Sequence, residues 1–427
     1  MKISVSWLRR DLRLEDNHAI GKALASGLPI MVLFIFDENI LKGLPVDDPR
    51  VTFIFRRLEI INSTLIRAGS SLLCLKGNPV KIWEELVLKY DIAEVFLNGD
   101  YEPYALERDQ SVEAFLTRKG IKVNRLKDQV IFEKDEIQKE DGSPYTVFTP
   151  YKRKWLKKFR ESTVQVIKTG TGLYFPVTHI LPSLCELGFR KSSVHVRDYD
   201  LSRLDYYGEK RNFPAEKTTQ LGPHLRFGTV SIRQVISWLD PIHEVFLGEL
   251  IWREFFMQIL FYFPKVVDRN FNYRYNGIEW KNDEIEFKRW CTGETGYPLV
   301  DAGMRELNST GYMHNRVRMV VAGFLCKHLL IDWRWGEAYF SEKLVDYELS
   351  SNNGNWQWAA GTGCDAAPYF RVFNPTAQMM KFDKRLEYVR TWVPEYGQAK
   401  YPEPIVQHNF ARERAIAAYK ACSSNLW

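Results

Sequence analysis

Five short, largely apolar runs recur through the first ~130 residues, a pattern that favours β-strands. The runs are ISVSWL, IMVLFIF, SLLCL, EVFLN and IKVNRL, at residues 3–8, 30–36, 71–75, 94–98 and 121–126. Amphipathic segments such as RVTFIFRRLEIINSTLIRAG and PVKIWEELVLKY lie between them. Apolar strands separated by helices indicate a parallel sheet covered on both faces. The pattern therefore predicts an α/β domain with a Rossmann-like parallel sheet over residues 1–130, although no GxGxxG dinucleotide fingerprint follows any run.

The rest of the chain changes character twice. Residues 131–200 have no clear period and contain Gly, Pro and Ser, so we predict a long interdomain linker that wraps around the domains. From residue 201 almost every segment has helical periodicity. Examples are FLGELIWREFFMQILFYF, YPLVDAGMRELNST and NRVRMVVAGFLCKHLLI, at 246–263, 297–310 and 315–331. We therefore predict an all-α domain over residues 201–427.

Composition narrows the possible functions. Hydrophobic content of 45% and charged content of 26% indicate a globular protein, and the 13 tryptophans indicate stacking surfaces. A net charge of +6 permits a polyanionic partner without requiring one. The six cysteines form no CxxC pair, which favours reduced thiols over a metal site. The N-terminus lacks the apolar region of a signal peptide, and no apolar run is long enough to span a bilayer, so a cytoplasmic protein is expected.

The segment GELIWREFF places an acid, an indole and a cation on one helical face. Glu249, Trp252, Arg253 and Phe256 follow the i, i+3, i+4, i+7 spacing. Such a face lines a ligand pocket or forms a surface stripe over the core. From this segment alone the stripe is the preferred interpretation.

The segment HNRVRM presents an amide, a cation and a thioether together. Asn315, Arg318 and Met319 have the i, i+3, i+4 spacing. These groups suit a planar heteroaromatic ligand, but an Asn-capped helix start with a salt-bridged Arg explains them equally well.

The segment YYGEKRNFPAEKTTQLGPHLRFG contains hydroxyl groups directly before a helical pattern. Tyr207, Thr218, Thr219 and Gln220 are candidates for a phosphate cradle, because backbone N–H groups are free at a helix start. Consecutive threonines are also an ordinary N-cap, so the signal is weak.

The stretch DYELSSNNGNWQWAAGTGCDAAPYF combines acids, amides, indoles and small residues. Asn352 and Trp356 share a helical face, and Trp358 follows. Further tryptophans precede this stretch at positions 280 and 333. Each alone is an ordinary core residue, but together they suggest aromatic ring chemistry.

These motifs together resemble the photolyase/cryptochrome family, most closely the class I cyclobutane pyrimidine dimer photolyases. The similar segments are SWLRRDLRLEDNHAI near the start, then ELIWREFF, TGYPLVDAGMRELNSTGYMHNRVRM and NNGNWQWAAGTGCDAAPYFRVFNP. The resemblance covers nearly the whole chain and is most specific between residues 249 and 375.

The resemblance implies a U-shaped FAD, active as the reduced anionic FADH−. Asn352 would lie at the flavin N5, where its amide accepts from a protonated nitrogen. The implied cofactor-binding residues are Tyr207, Thr218, Thr219, Gln220, Leu221, Gly222, Asn315, Arg318, Asp346, Tyr347, Glu348 and Asn352. The N-terminal domain would hold an antenna chromophore near Glu102 and the 37–55 loop. Methenyltetrahydrofolate and deazaflavin are both compatible with the residues there.

The resemblance also implies light-driven repair of DNA that contains pyrimidine dimers. The excited cofactor would give an electron to a flipped-out dimer, the cyclobutane bonds would split, and the electron would return. The implied catalytic residues are Glu249, Trp252, Asn315, Met319 and Trp358, with Glu249 bonding the dimer carbonyls. The implied DNA-binding residues are Arg211, Arg226, Glu249, Trp252, Arg253 and Arg371. Trp280, Trp333 and Trp356 match the chain that carries electrons to the flavin.

Two rival functions lie within the same family. A cryptochrome would be a blue-light receptor, but plant-type members tend to have an acid where Asn352 stands. A six-four photolyase would show paired histidines where this chain has His314 and Asn315. One departure from the family pattern is Asn355, where many members have Gly. We expect a monomeric, nucleoid-associated protein with no membrane contact, no metal and no obligate protein partner.

Overall fold

The computed structural model describes residues 1–168 and 172–424. Its sheet has five parallel strands in the order β3-β2-β1-β4-β5. The strands are β1 (Ile3–Leu8), β2 (Ile30–Asp37), β3 (Leu72–Gly77), β4 (Ile92–Asn98) and β5 (Lys122–Leu126). Every residue of β1 and β2 is buried, since helices cover both faces of the central strands. The predicted parallel α/β sheet is confirmed.

Helices follow the strands where the chain supplies caps. The helices up to residue 237 are α1 (His18–Leu24), α2 (Glu38–Leu41), α3 (Pro49–Arg67), α4 (Pro79–Lys89), α5 (Pro103–Arg118), α6 (Phe148–Arg160), α7 (Tyr207–Lys210), α8 (Gly222–Arg226) and α9 (Ile232–Ser237). The side chains of Asn17, Asp48 and Asn78 accept backbone N–H groups at the starts of α1, α3 and α4. Proline at the first position of α3 and α4 suits a helix start, because that N–H has no intrahelical partner.

The remaining elements are mostly helical, as the periodicity predicts. They are α10 (Glu244–Tyr262), α11 (Glu284–Thr292), α12 (Pro298–Thr310), α13 (Asn315–Gly323), α14 (Trp333–Lys343), α15 (Leu349–Ala360), α16 (Pro375–Phe382), α17 (Glu387–Trp392) and α18 (His408–Ser424). The predicted segment 315–331 is not one α-helix, because α13 passes into a π-helical turn at Phe324–His328. None of the helices in residues 1–168 and 172–424 has the length and apolarity of a transmembrane span.

The chain divides into two compact units. Unit 1 consists of Met1–Ile137, Lys154–Asp198 and Leu221–Pro241, and unit 2 holds Gln138–Arg153, Tyr199–Gln220 and the chain from Ile242 onwards. The stretch predicted as a linker, residues 131–200, contributes to both units and contains α6. The domain boundaries at 130 and 200 stay a prediction.

Candidate active site: two cavities along one helix

Helix α15 approaches its neighbours closely because two glycines remove side chains at the contacts. A Cβ at Gly354 would lie 2.2 Å from the ring of Phe256 on α10. A Cβ at Gly336 on α14 would lie 2.1 Å from the ring of Trp356. Any larger residue at either glycine would push the helices apart. The NNGNWQW segment is therefore held between α10 and α14, with its amides and indoles beside two cavities of unit 2.

The first cavity, the Arg318 cavity, has a volume of about 610 Å³. Its lining combines small and apolar side chains with polar groups: Asn315, Arg318, Met319, Ala322, Phe340, Leu344, Asp346, Tyr347, Glu348, Ser351, Asn352, Asn355, Trp356, Trp358 and Ala359. Arg318 donates from Nη2 to Asp346 Oδ2 at 2.9 Å and from Nε to the carbonyl of Met313 at 2.7 Å. The guanidinium is thus fixed in place. The cavity has the mixed polar and apolar lining of a cofactor site.

Glu337 on α14 fixes the orientation of the Asn352 amide through hydrogen bonds to its nitrogen. Asn352 Nδ2 donates to Glu337 Oε1 at 2.8 Å and to the Glu337 carbonyl at 3.2 Å. Burial raises the pKa of Glu337, while hydrogen bonds from Asn352 and Tyr347 act in the opposite direction. Asn352 Oδ1 has no hydrogen-bond partner among the described residues, and the residue lines the Arg318 cavity. The cavity therefore presents an amide oxygen as an acceptor.

The second cavity, the Glu249 cavity, has a volume of about 760 Å³ and is lined by Arg211, Glu249, Trp252, Arg253, Phe256, Asn315, Met319, Ser351, Asn355 and Trp358. Arg211 donates from Nη1 to Glu249 Oε1 at 2.5 Å, and both side chains remain partly exposed, at 23% and 31%. The ring of Trp252 stacks on Phe148 at a centroid distance of 3.6 Å. Phe148 is anchored by its N–H, which donates to Asp365 Oδ2. This cavity therefore combines an ion pair with a fixed aromatic wall.

Arg253, predicted to bind DNA, points its guanidinium to an acid of the neighbouring cavity. Its Nη2 donates to Glu348 Oε1 at 3.1 Å, and its side chain is only 13% exposed. Ser351 Oγ donates to the other oxygen of Glu348. The geometry favours a supporting role for Arg253, and its contact with DNA stays a prediction.

The three predicted electron-transfer tryptophans lie in one helical region. Trp356 is 2% exposed and lines the Arg318 cavity, with its ring against Gly336, one turn along α14 from Trp333. Trp333 is buried and donates from Nε1 to Asn270 Oδ1 at 2.7 Å. Trp280 is half-buried and packs edge-on against Tyr419. The three indoles thus differ in exposure, with Trp356 and Trp333 buried and Trp280 half-buried, and their role as an electron path stays a prediction.

The predicted phosphate cradle is divided by the unit boundary. Tyr207 packs against Phe246, and Thr218 Oγ1 lies 3.4 Å from the hydroxyl of Tyr312. Thr219 is buried, and Gln220 has a left-handed backbone with φ of +55°. Leu221 and Gly222 belong to unit 1, where they begin the short helix α8. Diphosphate binding by these residues stays a prediction.

The two remaining arginines differ in their surroundings. Arg226 belongs to unit 1 and pairs with Glu102 at 3.3 Å, with 15% of its side chain exposed. Arg371 of unit 2 is exposed, and its carbonyl accepts from the buried Lys327 ammonium at 3.0 Å. Arg371 is therefore the more accessible of the two to a phosphate.

His314 caps helix α13 beside the Arg318 cavity. Its Nδ1 accepts the N–H of Arg316 at 3.2 Å. Burial, followed by the charges of Arg318, Arg316 and Arg211, lowers the pKa of His314 to about 4. The ring is therefore neutral near pH 7, which is the form that can accept this hydrogen bond.

The low pKa of His314 predicts acid sensitivity. The unfolded chain takes up a proton near the ordinary value of 6.5, but the folded chain does so only near pH 4. The stabilisation is complete above pH 6.5 and is lost as the pH falls toward 4, at most about 3 kcal/mol. His314→Asn keeps a capping acceptor without titrating, so it should lose less stability on acidification. Urea unfolding at neutral and acidic pH measures the difference, and equal losses in both proteins would contradict it.

Among the side chains that join the site without having been predicted from the motifs, Glu337, Asn355 and Phe148 differ in the signal that the sequence offered. Glu337 follows Trp333 by four residues, a spacing that puts both on one face of the helix. That spacing could have indicated Glu337 as a site residue. Asn355 lines both cavities, and its departure from the family pattern was such a signal too. Phe148 lies about a hundred residues before its partner Trp252 in sequence, and no local pattern indicates such a contact.

Comparison with known proteins gives the family. Residues 4–168 match the family model of DNA photolyase, and residues 246–400 match the FAD binding domain of DNA photolyase. A deoxyribodipyrimidine photo-lyase of Halobacterium salinarum is 37% identical over 97% of this chain and 98% of its own. A bacterial class III photolyase of Agrobacterium tumefaciens has 34% identity and a TM-score of 0.89, covering 100% of this chain and 98% of its own.

An archaeal photolyase of Sulfolobus tokodaii, whose crystal structure contains two FAD molecules, has 33% identity and a TM-score of 0.86. It covers 99% of this chain, and the match spans 100% of its own length. The similarity extends over both units rather than over one domain. The chain therefore belongs to the photolyase/cryptochrome family.

Proposed function

We propose that this chain is a deoxyribodipyrimidine photo-lyase that repairs cyclobutane pyrimidine dimers in DNA with light and reduced FAD. The observation that carries the proposal is the common wall of the two cavities. Asn315, Met319, Ser351, Asn355 and Trp358 line both the Arg318 cavity and the Glu249 cavity. A cofactor in one cavity would lie directly beside a substrate in the other, as electron transfer between them requires.

The residues of the Arg318 cavity fit FAD. The fixed Arg318–Asp346 pair and the free amide oxygen of Asn352 match the polar edge of a flavin ring, and the apolar walls match its faces. Reduced FAD held by these residues would supply light-driven electron donation to the dimer. Trp280, Trp333 and Trp356 would return electrons to an oxidised cofactor from the surface.

Asn352 would favour the reduced cofactor through its orientation. Because Glu337 occupies the Nδ2 end of the amide, the oxygen is the end left for the cavity. An oxygen accepts from a protonated N5, which a reduced flavin carries and an oxidised flavin lacks. Glu337 therefore acts in the proposal as the positioning residue for Asn352.

The Arg211–Glu249 ion pair gives the Glu249 cavity a hydrogen-bond donor and a hydrogen-bond acceptor side by side. The Glu249 carboxylate already accepts from Arg211, so it offers a remaining lone pair to one N–H group of the dimer. The resemblance implies that Glu249 bonds the dimer carbonyls, but a carboxylate that accepts from Arg211 has no proton to donate to them. The carbonyl oxygens, where negative charge develops, would instead take their hydrogen bonds from Arg211 and the Asn315 amide. Trp252 and Trp358 would form the apolar walls, with Met319 closing them.

The lesion would enter this cavity by leaving the DNA stack. Photolyases flip their target, and a damaged base costs less to extrude because it stacks poorly. Arg371 is exposed and would hold a neighbouring phosphate, an interaction that weakens as salt rises. Contacts by Arg226 and Arg253 belong to the same proposal.

A second chromophore is proposed for unit 1, near the carboxyl ends of the strands. Asp37 ends β2 and accepts from Tyr104 at 2.8 Å, while Glu102 pairs with Arg10 at 3.0 Å. Ligands of open parallel sheets bind at this edge. The two FAD molecules in the Sulfolobus tokodaii structure add FAD to methenyltetrahydrofolate and deazaflavin as candidates.

Subclass, assembly and location complete the proposal. We infer a class I enzyme from the sequence resemblance, although one similar structure is a class III photolyase. We also infer a monomer that acts on chromosomal DNA in the cytoplasm. Sedimentation of the purified protein checks the first of these two, and imaging of the tagged protein checks the second.

The proposed function is tested by repair itself. Reduced protein is mixed with an oligonucleotide that carries one thymine dimer, and intact thymines are counted after blue light and after darkness. We expect repair in the light only. Binding of FAD without any repair in the light would favour the cryptochrome function. Repair of six-four photoproducts instead of the thymine dimer would mean that the enzyme acts on that lesion.

A further inference from the structure

Asn355 lies on the wall that separates the cofactor cavity from the substrate cavity. It is on α15, between Ser351 one turn before it and Trp358 one turn after it, and its side chain is exposed. It lines both the Arg318 cavity and the Glu249 cavity. A polar group at this position can therefore contact a molecule in the Glu249 cavity directly.

The amide of Asn355 is oriented by its own helix. Its Nδ2 donates to the carbonyl of Ser351 at 2.8 Å. This bond uses the nitrogen end of the amide, so the oxygen end is turned outward. Within the part of the chain that the structure describes, Asn355 Oδ1 accepts no hydrogen bond. The shared wall therefore carries a fixed, free acceptor.

Besides Glu249 and Asn355, the side-chain acceptors on the wall of the Glu249 cavity are the oxygens of Asn315 and Ser351. Ser351 Oγ is held by its hydrogen bond to Glu348, and the Asn315 amide is assigned above to the dimer carbonyls. The substrate brings donors. Arg211 and Arg253 are obligate donors, and Met319 and Phe256 are apolar. A dimer of two thymines carries one imide N–H on each ring, and each needs an acceptor when it leaves water. The Glu249 carboxylate can accept one of them. Asn355 Oδ1 is an acceptor for the other.

We propose that Asn355 is a specificity-determining residue that accepts the imide N–H of one pyrimidine of the dimer. The inference rests on the proposed function, since it assumes a dimer in the Glu249 cavity. It predicts which substrate change the residue detects: methylation of N3, which removes the donor.

The test is dark binding of dimer-containing oligonucleotides to the FAD-loaded protein, measured by fluorescence anisotropy. The substrates are the unmodified dimer and dimers methylated at N3 of either the 5′ or the 3′ ring. Asn355→Ala should bind the unmodified dimer about three- to tenfold more weakly, the usual value of one hydrogen bond. Methylation of one ring should weaken binding to the parent by a similar factor and leave Asn355→Ala nearly unaffected, so the two changes are coupled.

Two further variants separate this role from a structural one. Asn355→Gln keeps an amide and should recover part of the affinity and of the methylation penalty. Asn409→Ala removes an exposed asparagine from α18 and should change nothing. FAD affinity, measured by fluorescence of the released flavin, should be equal in all four proteins.

The outcomes distinguish the inference from the function on which it rests. Equal methylation penalties in the parent and in Asn355→Ala would overturn the role of Asn355 while leaving dimer binding intact. Weaker FAD binding in Asn355→Ala, with dimer affinity unchanged, would also overturn it, because the amide would then serve the cofactor. A parent protein that binds dimer-containing and undamaged DNA equally would overturn both proposals.

Discussion

Replacing Trp280 by phenylalanine should stop the photoreduction of bound FAD while leaving repair by chemically reduced protein unchanged. Trp280 is the half-buried member of the tryptophan series, so it is the ring that an external reductant reaches. Phenylalanine preserves the aromatic contact with Tyr419 but is much harder to oxidise than an indole. The measurement is the loss of oxidised-flavin absorbance under blue light with a thiol reductant present.

The control for this substitution is Trp392→Phe, which changes another half-buried indole, on α17, outside both cavities. It should photoreduce like the parent. Unchanged photoreduction in Trp280→Phe would remove Trp280 from the electron path. Trp290 would then be the next candidate, because the centroid of its buried ring lies 6.2 Å from that of Trp356 and 5.7 Å from that of Tyr339.

Local patterns were sufficient to predict the sheet. The runs at 3–8 and 30–36 correspond to Ile3–Leu8 and Ile30–Asp37, because a strand buried on both faces is mostly apolar, with only the small Ser4 and Ser6 interrupting β1. The helix predicted at 246–263 corresponds to Glu244–Tyr262 for a similar reason. The π-helical turn at Phe324–His328 could not be predicted, since its apolar pattern continues that of α13.

The chemistry of the site depended on contacts that no periodicity encodes. Asn352 and Glu249, which the sequence motifs singled out, line the two cavities, but their hydrogen-bond partners belong to other helices. Glu337 determines which end of the Asn352 amide faces the cavity, and Arg211 occupies one oxygen of Glu249. Since hydrogen-bond roles depend on such partners, a sequence predicts which groups are present better than it predicts which atoms they offer.

Glu249→Ala should produce the largest loss of repair while leaving FAD bound. The substitution removes an acceptor for the dimer and leaves Arg211 without its partner at 2.5 Å. A hydrogen bond to a charged group contributes about 1.5–3 kcal/mol, so repair at low substrate concentration should fall roughly ten- to a hundredfold. Glu249→Gln keeps an acceptor but loses the charge, so it should fall between the parent and Glu249→Ala. Repair under single-turnover light flashes and dark binding of dimer-containing DNA measure the two contributions.

The matched control lies on the same helix. Glu244→Ala removes an exposed carboxylate from the first turn of α10, where Glu244 faces Lys152 at 3.7 Å and lines neither cavity. It should repair like the parent. Release of FAD from Glu249→Ala would mean that the residue supports the fold, because the carboxylate lines the Glu249 cavity and not the Arg318 cavity. Retained FAD with full repair would mean that the Arg211–Glu249 pair does not touch the dimer, and the substrate would have to be recognised by the amides and indoles alone.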